Sequence, residues 1–565
     1  MSNREELLVI SDFNADMFAG LAGNDPAQPL LSAKTTGFGQ VIPTLLNEDD
    51  SVWHNKRSAF LWTQPQAISE CFAQVIEMHS VDHEEALLEV DKFCDAVIAA
   101  SHRLETLLLA SWHLPVGQRG YGMLDSRPGL GVSSLLARMN LRLAERLNDT
   151  NGIYVLDSTR WFQVNKPYAP KMWYPAKVPF SNEVFKLAIE DVKAALRGVC
   201  GDARKIVVCD LDDTLWGGIV GDVGWENLRL GGHDPVGEAF VDLQRELKAL
   251  TRRGVILAIV SKNTEEIALE AIEKHPEMVL RKADFAGWRI NWKDKAQNIY
   301  DLIQELNLGL QAAVFLDDNP VERARVAEAF PEVLVPEMPK DKMFYAQVLR
   351  KLACFDTPAL SHEDRSRALM YNTERGRREA LQESKMVGSL DDWLHKLEVT
   401  VQVEPISESN RQRAAQLFNK TNQMNLQTRR MTESELVAWA SGEKRKLWTF
   451  RVSDKFGDSG LTGIVSIELI GDDAYITDFI LSCRVMGKRV EEAIVFQTTE
   501  SARALGAKRL IANYQETNKN KPCLEFWQRS GFDAKEDQTF VWNLKQEYPK
   551  PKTIKFETGR SSFEF

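Results

Sequence analysis

The stretch Ile206-Val-Val-Cys-Asp-Leu-Asp-Asp-Thr-Leu-Trp-Gly-Gly218 constrains this chain more than any other. Ile206, Val207 and Val208 are consecutive β-branched residues and read as a short buried strand. The strand delivers Asp210, Asp212 and Asp213 at its carboxyl end, where open α/β sheets place their ligand crevices. Three carboxylates within four positions repel one another. A hard dication such as Mg2+ would relieve the repulsion, because it takes carboxylate and carbonyl oxygens. Taken alone, the stretch reads equally well as an acidic strand-to-helix turn without chemistry.

Its neighbourhood shifts that balance. Val255 to Val260 is a second apolar run, ending in Ser261-Lys-Asn263, and Ala313 to Leu316 is a third, ending in Asp317-Asp318-Asn-Pro-Val-Glu322. Between them Asn291-Trp-Lys-Asp-Lys295 precedes a helical run through Ile299, Leu302, Ile303 and Leu306. An acid pair, a hydroxyl, a lysine and a second acid pair therefore fall at strand ends or helix starts of one α/β pattern.

Motif by motif, this resembles the haloacid-dehalogenase-like phosphatases. The resemblance implies that Asp210 is a nucleophile forming an aspartyl-phosphate, a known use of a carboxylate. It makes Asp212 the general acid/base and gives Thr214 the task of holding the turn. Ser261, with Asn263 and Thr214 beside it, would bind the phosphoryl group, and Lys295 would neutralise its charge, with Lys293 as the second candidate. Asp318, supported by Asp317 or Glu322, would complete a Mg2+ shell with Asp210 and the main-chain carbonyl of Asp212.

At 565 residues the chain has room for about three to four domains. A net charge of −11 argues against a broad basic surface for nucleic acid. Seven scattered cysteines without a C-x-x-C pair argue against a zinc knuckle or disulfide framework and for a reducing compartment. The amino-terminal residues show no secretory pattern, and no apolar run approaches the roughly 18 residues that span a bilayer. The expectation is a cytoplasmic protein with no membrane partner.

Residues 1–195 read as α/β, with strands at Leu7–Ile10 and Ile153–Leu156 and a helix around residues 82–110. This region resembles an SGNH-hydrolase domain. Those enzymes carry a Gly-Asp-Ser nucleophile on the first strand and a late Asp-x-x-His. Here the first site is Ser11-Asp-Phe-Asn14, and Arg160 stands in the histidine position. Arginine accepts no proton at neutral pH, so the domain reads as a degenerate scaffold. A boundary helix follows from Phe180 to Asp202, and residues 204–357 form the phosphatase-like domain. Ser261 follows Asp210 by about fifty positions and Lys295 follows Ser261 by about thirty-four. Those intervals hold a short flap, Trp216 to Gly232, but no separate cap domain. The expected doubly wound domain is therefore capless and open.

The stretches Asp210 to Asp222, His275 to Arg281, Ile290 to Lys295, Phe315 to Glu322 and Lys420-Thr-Asn-Gln-Met-Asn-Leu-Gln-Thr-Arg-Arg430 narrow the resemblance to the FkbH-like branch. Membership would imply taking a glyceryl-type acyl unit from a phosphorylated donor such as 1,3-bisphosphoglycerate. Phosphate would be removed and the unit passed to an acyl carrier protein in polyketide or polysaccharide biosynthesis.

Residues 358–396 are charge-rich and read as a solvated connecting helix, with a dock for an acidic carrier protein as the lesser alternative. Residues 397–547 read as α+β, with successive antiparallel strands at Trp448–Val452, Gly463–Leu469 and Ala474–Leu481. The loop Ser482-Cys-Arg-Val-Met-Gly-Lys-Arg489 and the helix after it resemble the GNAT acyltransferase fold, in which amides at a helix start grip pyrophosphate. Arg484, Gly487 and Lys488 fit that loop. Arg489 stands where a small residue is usual, which argues against ordinary acetyl-CoA binding. Residues 548–565 read as a flexible tail.

An acyl transfer could pass through an enzyme thioester. Cys483 lies beside Arg484 and Lys488 near a helix start, conditions that favour a thiolate; Cys209 precedes Asp210 among acids, which disfavours one. The combined expectation is a Mg2+-dependent phosphatase/acyltransferase. Two rivals stand beside it: a plain small-molecule phosphatase with a terminal binding module, and a non-catalytic scaffold.

Overall fold

The computed structural model describes residues 4–47, 51–54, 56–114, 117–360, 371, 390–517 and 519–558. The chain divides into two compact units, Met1–Val199 with Asp356–Pro358, and Cys200–Phe355 with Ala359–Phe565.

The first unit is built on a five-stranded parallel sheet, β1 (Glu5–Ser11), β2 (Leu31–Thr35), β3 (Ser58–Trp62), β4 (Thr106–Ala110) and β5 (Ile153–Leu156), in the order β2-β1-β3-β4-β5. Long helices α1 (His83–Ser101), α2 (Val132–Leu147) and α3 (Asn182–Val199) bury apolar stripes in its cores. The helix expected over 82–110 stops at Ser101, and its last part is β4 instead. Thr106-Leu-Leu-Leu-Ala110 is buried at every position, as an interior strand of a parallel sheet requires. The boundary helix is α3, and it fits the 3.6-residue spacing of Phe185, Ile189, Val192 and Leu196.

In the second unit β6 (Ile206–Cys209), β7 (Ile256–Ser261), β8 (Phe285–Ile290) and β9 (Ala313–Leu316) form a four-stranded parallel sheet in the order β8-β7-β6-β9. The four residues of β6 are fully buried, and each large apolar side chain so placed contributes about 1.5–3 kcal/mol of burial. The connecting helices α4 (Pro235–Arg252), α5 (Glu265–Lys274), α6 (Lys295–Glu305) and α7 (Pro320–Ala329) cover the sheet. This is a doubly wound domain. The 18 residues of α4 belong to the ordinary crossover, and the flap holds only a short α-helix, Val220–Val223, and a 3-10 turn, Trp225–Asn227.

The same unit carries a nine-stranded mixed sheet. Its strands are β10 (Val399–Pro405), β11 (Met424–Asn425), β12 (Arg445–Asp454), β13 (Gly457–Ile470), β14 (Asp473–Leu481), β15 (Arg509–Asn513), β16 (Asp533–Ala534), β17 (Thr539–Asn543) and β18 (Ile554–Thr558). Helices α8 (Arg411–Lys420), α9 (Glu433–Ala440), α10 (Val490–Ala504) and α11 (Lys521–Arg529) pack on it. The chain is thus multidomain α/β, with an α+β carboxyl-terminal domain.

The tail expectation is corrected for residues 548–558, and its remainder, 559–565, lies outside the described residues. Tyr548 is buried with its hydroxyl donating to Ser530 O, and β18 pairs in parallel with β10. An unpaired β10 edge would present bare backbone groups, and β18 covers them. The charged runs after Ser361 lie outside the described residues. Among the described residues, no helix is long and apolar enough to cross a membrane.

Candidate active site

Asp210 follows β6, Ser261 closes β7, and Asp317 and Asp318 follow β9. These are neighbouring parallel strands, so their carboxyl ends open onto one crevice. Lys295 begins α6, whose amino terminus is capped by Asp294 accepting from Ala296 N–H. The segments that the sequence separates by up to about a hundred positions therefore converge through topology alone.

The turn after β6 closes on itself. Thr214 and Leu215 N–H both donate to Leu211 O, at 3.1 and 2.8 Å. Asp213 takes a left-handed conformation, φ 53°, which aspartate tolerates better than most residues. Asp210 is 6% exposed. One of its carboxylate oxygens, Oδ2, lies 2.8 Å from Lys295 Nζ, which also donates to Asp317 Oδ2 at 2.6 Å. Its other oxygen, Oδ1, is buried and makes no hydrogen bond.

Electrostatics explains why these groups sit together. A buried ammonium is costly unless paired. Burial works against the charge on Lys295, but Asp210 and Asp317 outweigh it and hold its pKa above the ordinary lysine value. Burial and the neighbouring Asp210 charge push Asp317 up to about 6, against the pull of Lys295. Asp210 and Asp317 share Lys295, and a third carboxylate, Asp318, lies beside them. Asp210, Asp317 and Asp318 offer oxygens within 4.8 Å of one another. A dication fits this donor set: the oxygens are hard, the negative charge exceeds the positive, and Asp210 Oδ1 has no other partner.

Asp212 stands apart from that cluster. Its Oδ1 accepts from Trp216 Nε1 at 2.8 Å and Val220 N–H at 3.1 Å, and its Oδ2 accepts from Asn263 Nδ2 at 2.9 Å. Burial, followed by the charges of Asp210 and Asp213, raises its pKa despite those hydrogen bonds. A carboxyl held in place and shifted upward suits proton transfer. Asn263 is 4% exposed and spent on Asp212 and Thr264 N–H, so the structure places it as a support for Asp212. Thr214 is fully buried and accepts from Asp318 N–H at 3.1 Å, tying the two acidic turns together. Ser261 is buried at the end of β7, Lys293 is exposed, and Glu322 pairs with Lys262. Cys209 is fully buried, and burial, then Asp210, drives its thiol pKa upward, which leaves no thiolate.

Two residues that the sequence did not suggest brace the second acidic turn. Arg323 donates to the carbonyls of Asp317 and Asp318 at 3.0 and 2.8 Å. Lys342 donates to Asp213 O at 2.7 Å and to Asp318 Oδ2 at 3.3 Å. Arg323 could have been found from its place one helical turn into α7; nothing local marks Lys342.

The α+β domain carries the remaining sequence candidates. The side chain of Cys483 lies outside the described residues. Arg484 Nε donates to Ser482 Oγ at 3.1 Å, and Lys488 lies 3.6 Å from Asp454. Gly487 has a left-handed φ of 77° and donates its N–H to Glu491 Oε1 at 2.8 Å. Glu491, 3% exposed, has its pKa pushed up to about 7 by burial. The loop amide is thus held by the chain's own carboxyl group. Strands β14 and β15 pair only from Asp473 to Ile476. Beyond that the gap is taken by β11, which pairs with Ile480 and Leu481, while Leu426 bridges Phe479 O and Gln515 N–H. In the same Lys420–Arg430 stretch, Arg429 pairs with Asp478, a fully buried acid that also accepts from Ser466.

In the first unit Ser11 Oγ accepts from Phe13 N–H at 3.1 Å, and Arg160 donates to Asp191 at 3.1 Å. Asp12 accepts from the main chain and side chain of Gln64, and burial pushes it up to about 6. Each residue of the first-strand site is therefore occupied structurally.

No family model and no curated protein matches this chain. Solved structures do. The N-terminal part of protein BF1531 from Bacteroides fragilis, containing a phosphatase domain complexed with Mg, is similar with a TM-score of 0.57 and 24% identity. That likeness covers 63% of this chain and 95% of that chain, and shows a shared fold. The GNAT domain of PAT from S. lividans is similar over 25% of this chain and 89% of its own, at a TM-score of 0.21 and 15% identity. The ribosomal-protein-S18-alanine N-acetyltransferase from Escherichia coli is similar over 25% and 90%, at 0.20 and 8%.

Proposed function

We propose that the chain is a Mg2+-dependent phosphatase-type enzyme of the FkbH-like branch that works through Asp210. The observation that carries this reading is the buried Asp210–Lys295–Asp317 array, with Asp210 Oδ1 left without a hydrogen bond and Asp318 close by. Asp210, Asp317 and Asp318 would hold the ion. When bound, it offsets negative charge on the carboxylates and on a phosphoryl group.

The chain's own residues account for the remaining chemistry. The Asp210 carboxylate attacks phosphorus, and the bond to the leaving oxygen breaks. Asp212, protonated, gives its proton to that oxygen. Water then attacks the aspartyl-phosphate, Asp212 takes the proton back, and the bond from phosphorus to Asp210 breaks to release phosphate. Lys295 offsets charge on the phosphoryl oxygens. Trp216, Val220 and Asn263 keep Asp212 in one orientation throughout.

The substrate reading rests on the motif resemblance and on the capless site. It is a phosphorylated acyl donor of the 1,3-bisphosphoglycerate type. Asp210 removes the phosphoryl group held as an ester. The thiol of an acyl carrier protein attacks the acyl carbon and displaces the acyl-bound phosphate, which leaves with the thiol proton, so that the glyceryl unit is carried as a thioester with the help of the α+β domain. The test pairs two assays on the full chain. With Mg2+, phosphate release from the donor should appear together with a mass gain on a carrier protein. Asp210→Asn should lower phosphate release by several orders of magnitude, since nucleophile and metal ligand are lost together. Near-wild-type release from folded Asp210→Asn would remove Asp210 from this role. Release without any carrier adduct would favour the plain phosphatase.

A further inference from the structure

The turn after β6 and the turn after β9 are joined by two lysines. Lys295 spans Asp210 and Asp317 at 2.8 and 2.6 Å. Lys342 spans the next pair along. Its Nζ donates to Asp213 O at 2.7 Å and to Asp318 Oδ2 at 3.3 Å, and lies 3.8 Å from Asp213 Oδ1. A separate segment delivers it: Lys342 opens a 3-10 turn, Lys342–Phe344, whose start is capped by Asp341 accepting from Met343 N–H. Tyr345 anchors that turn, being 2% exposed and meeting Phe240 of α4 edge-on at 6.2 Å. The Lys342 ammonium lies 5.2 Å from the centre of the tyrosine ring, close enough for a cation–π contact. A long flexible side chain is thus held in one place.

Asp318 is the candidate ion ligand that depends most on this lysine. Its main chain is fixed by Thr214 Oγ1, which accepts its N–H, and by Arg323, which donates to its carbonyl. Its side chain is 27% exposed, against 9% for Asp210 and 0% for Asp317, and it pairs with Lys342. The ammonium therefore sits one carboxylate away from the place where Asp210, Asp317 and Asp318 converge. Its charge has two consequences of opposite sign: it repels a dication at that place and attracts a phosphoryl dianion entering the same crevice. Lys342 is 23% exposed and Asp213 46% exposed, so solvent and the Asp213 charge weaken both effects without reversing either. Holding Asp318 still would by itself favour the ion. Ordering one short side chain changes affinity by only about a few-fold, however. A unit charge this near a dication acts more strongly, so repulsion decides the sign.

We propose that Lys342 is a positioning residue that acts through Asp318, lowering the affinity of the crevice for its ion and raising the affinity of the ion-loaded crevice for the phosphoryl group. The proposal rests on the Mg2+-dependent reading given above.

The test is calorimetry on the full chain, first with Mg2+ and then with inorganic phosphate added to the Mg2+-loaded protein. Lys342→Met keeps the stem and removes the charge. Its Kd for Mg2+ should fall at least about fivefold and its Kd for phosphate should rise at least about fivefold, the lower end of ordinary coupling between sites. Lys342→Arg keeps the charge and should leave both constants close to wild type. Shifts in opposite directions are the signature, because a variant that only loosened the site would weaken both ligands. Weakening of both by Lys342→Met, or no change in either, would overturn the proposal. Should Lys342→Met melt well below wild type, Lys342→Gln, which keeps a donor for Asp213 O, is judged by the same criteria. Wild type that takes up no Mg2+ would overturn the metal reading and this proposal together. Mg2+ uptake by wild type, with unaltered affinities in the variant, would remove this proposal alone.

Discussion

At the residue scale the proposed proton transfer depends on how Asp212 is held. Three donors fix its carboxylate, and Asn263 supplies the only one of them from a different strand end. Asn263→Ala removes that donor and lets the carboxylate turn. We expect kcat for phosphate release to fall by about 10- to 100-fold, since a misplaced acid/base loses much of its contribution. Unchanged kcat would show that Trp216 and Val220 suffice. A second residue-scale expectation concerns pH. Glu491 is ordinarily a carboxyl of pKa 4.5, and here it sits at about 7. Between those values the unfolded chain has lost the proton and the folded chain keeps it. Stability therefore falls as pH rises from about 4.5 to about 7, by up to about 3 kcal/mol, and stays low above that. Glu491→Gln stays neutral and still accepts from Gly487. Melting temperatures of wild type and variant should be close at pH 5 and should separate in favour of the variant at pH 8. Equal separation at both values would dissociate Glu491 from the effect. The acids, Ser261 and Lys295 were legible in the sequence because each sits at a strand end or a helix start of one α/β pattern. Asn263 bound to Asp212, Thr214 bound to Asp318, and Lys342 bound to Asp213 were not, because each contact joins segments that only the fold brings together.

At the element scale, the strands β6, β7 and β9 were readable from short apolar runs, and the structure orders them by parallel pairing. Short elements were harder to read. The two residues of β11 carry no periodicity, and β18 lies among lysines that suggest solvent. Yet β11 decides what the α+β domain can bind. It fills the gap where β14 and β15 part, and Glu491 holds the amide of Gly487. Both features oppose a CoA molecule lying along β14 with its pyrophosphate on that loop. Calorimetry of acetyl-CoA against the full chain should therefore show no tight binding. Micromolar affinity would mean that β11 is displaced by the ligand and that the domain retains ordinary acetyl transfer.

At the scale of the whole molecule, the proposed hydrolysis and acyl transfer would use different parts of the second unit, so experiment can separate them. The doubly wound domain and the α+β domain meet where Gly201 passes the end of α8. Gly201 has a φ of 75°, and a Cβ added there would lie 2.9 Å from Asn419 O. Any L-residue at this position meets two penalties: about 1–2 kcal/mol for the left-handed backbone, and a backbone clash that side-chain motion cannot relieve. On the other side of the same approach, Lys519 pairs with Asp202. Gly201→Val should therefore loosen the α+β domain from the phosphatase-type domain while leaving the cores of both intact. Calorimetric melting of the variant should show two transitions where the wild-type unit shows one. Phosphate release from a generic ester should stay close to wild type, because Asp210 lies at the opposite end of β6. Loading of a carrier protein should fall at least about tenfold if transfer requires the two domains to be held in register. Equal losses in hydrolysis and loading would place the whole reaction in the phosphatase-type crevice, with the α+β domain acting only as a support for it.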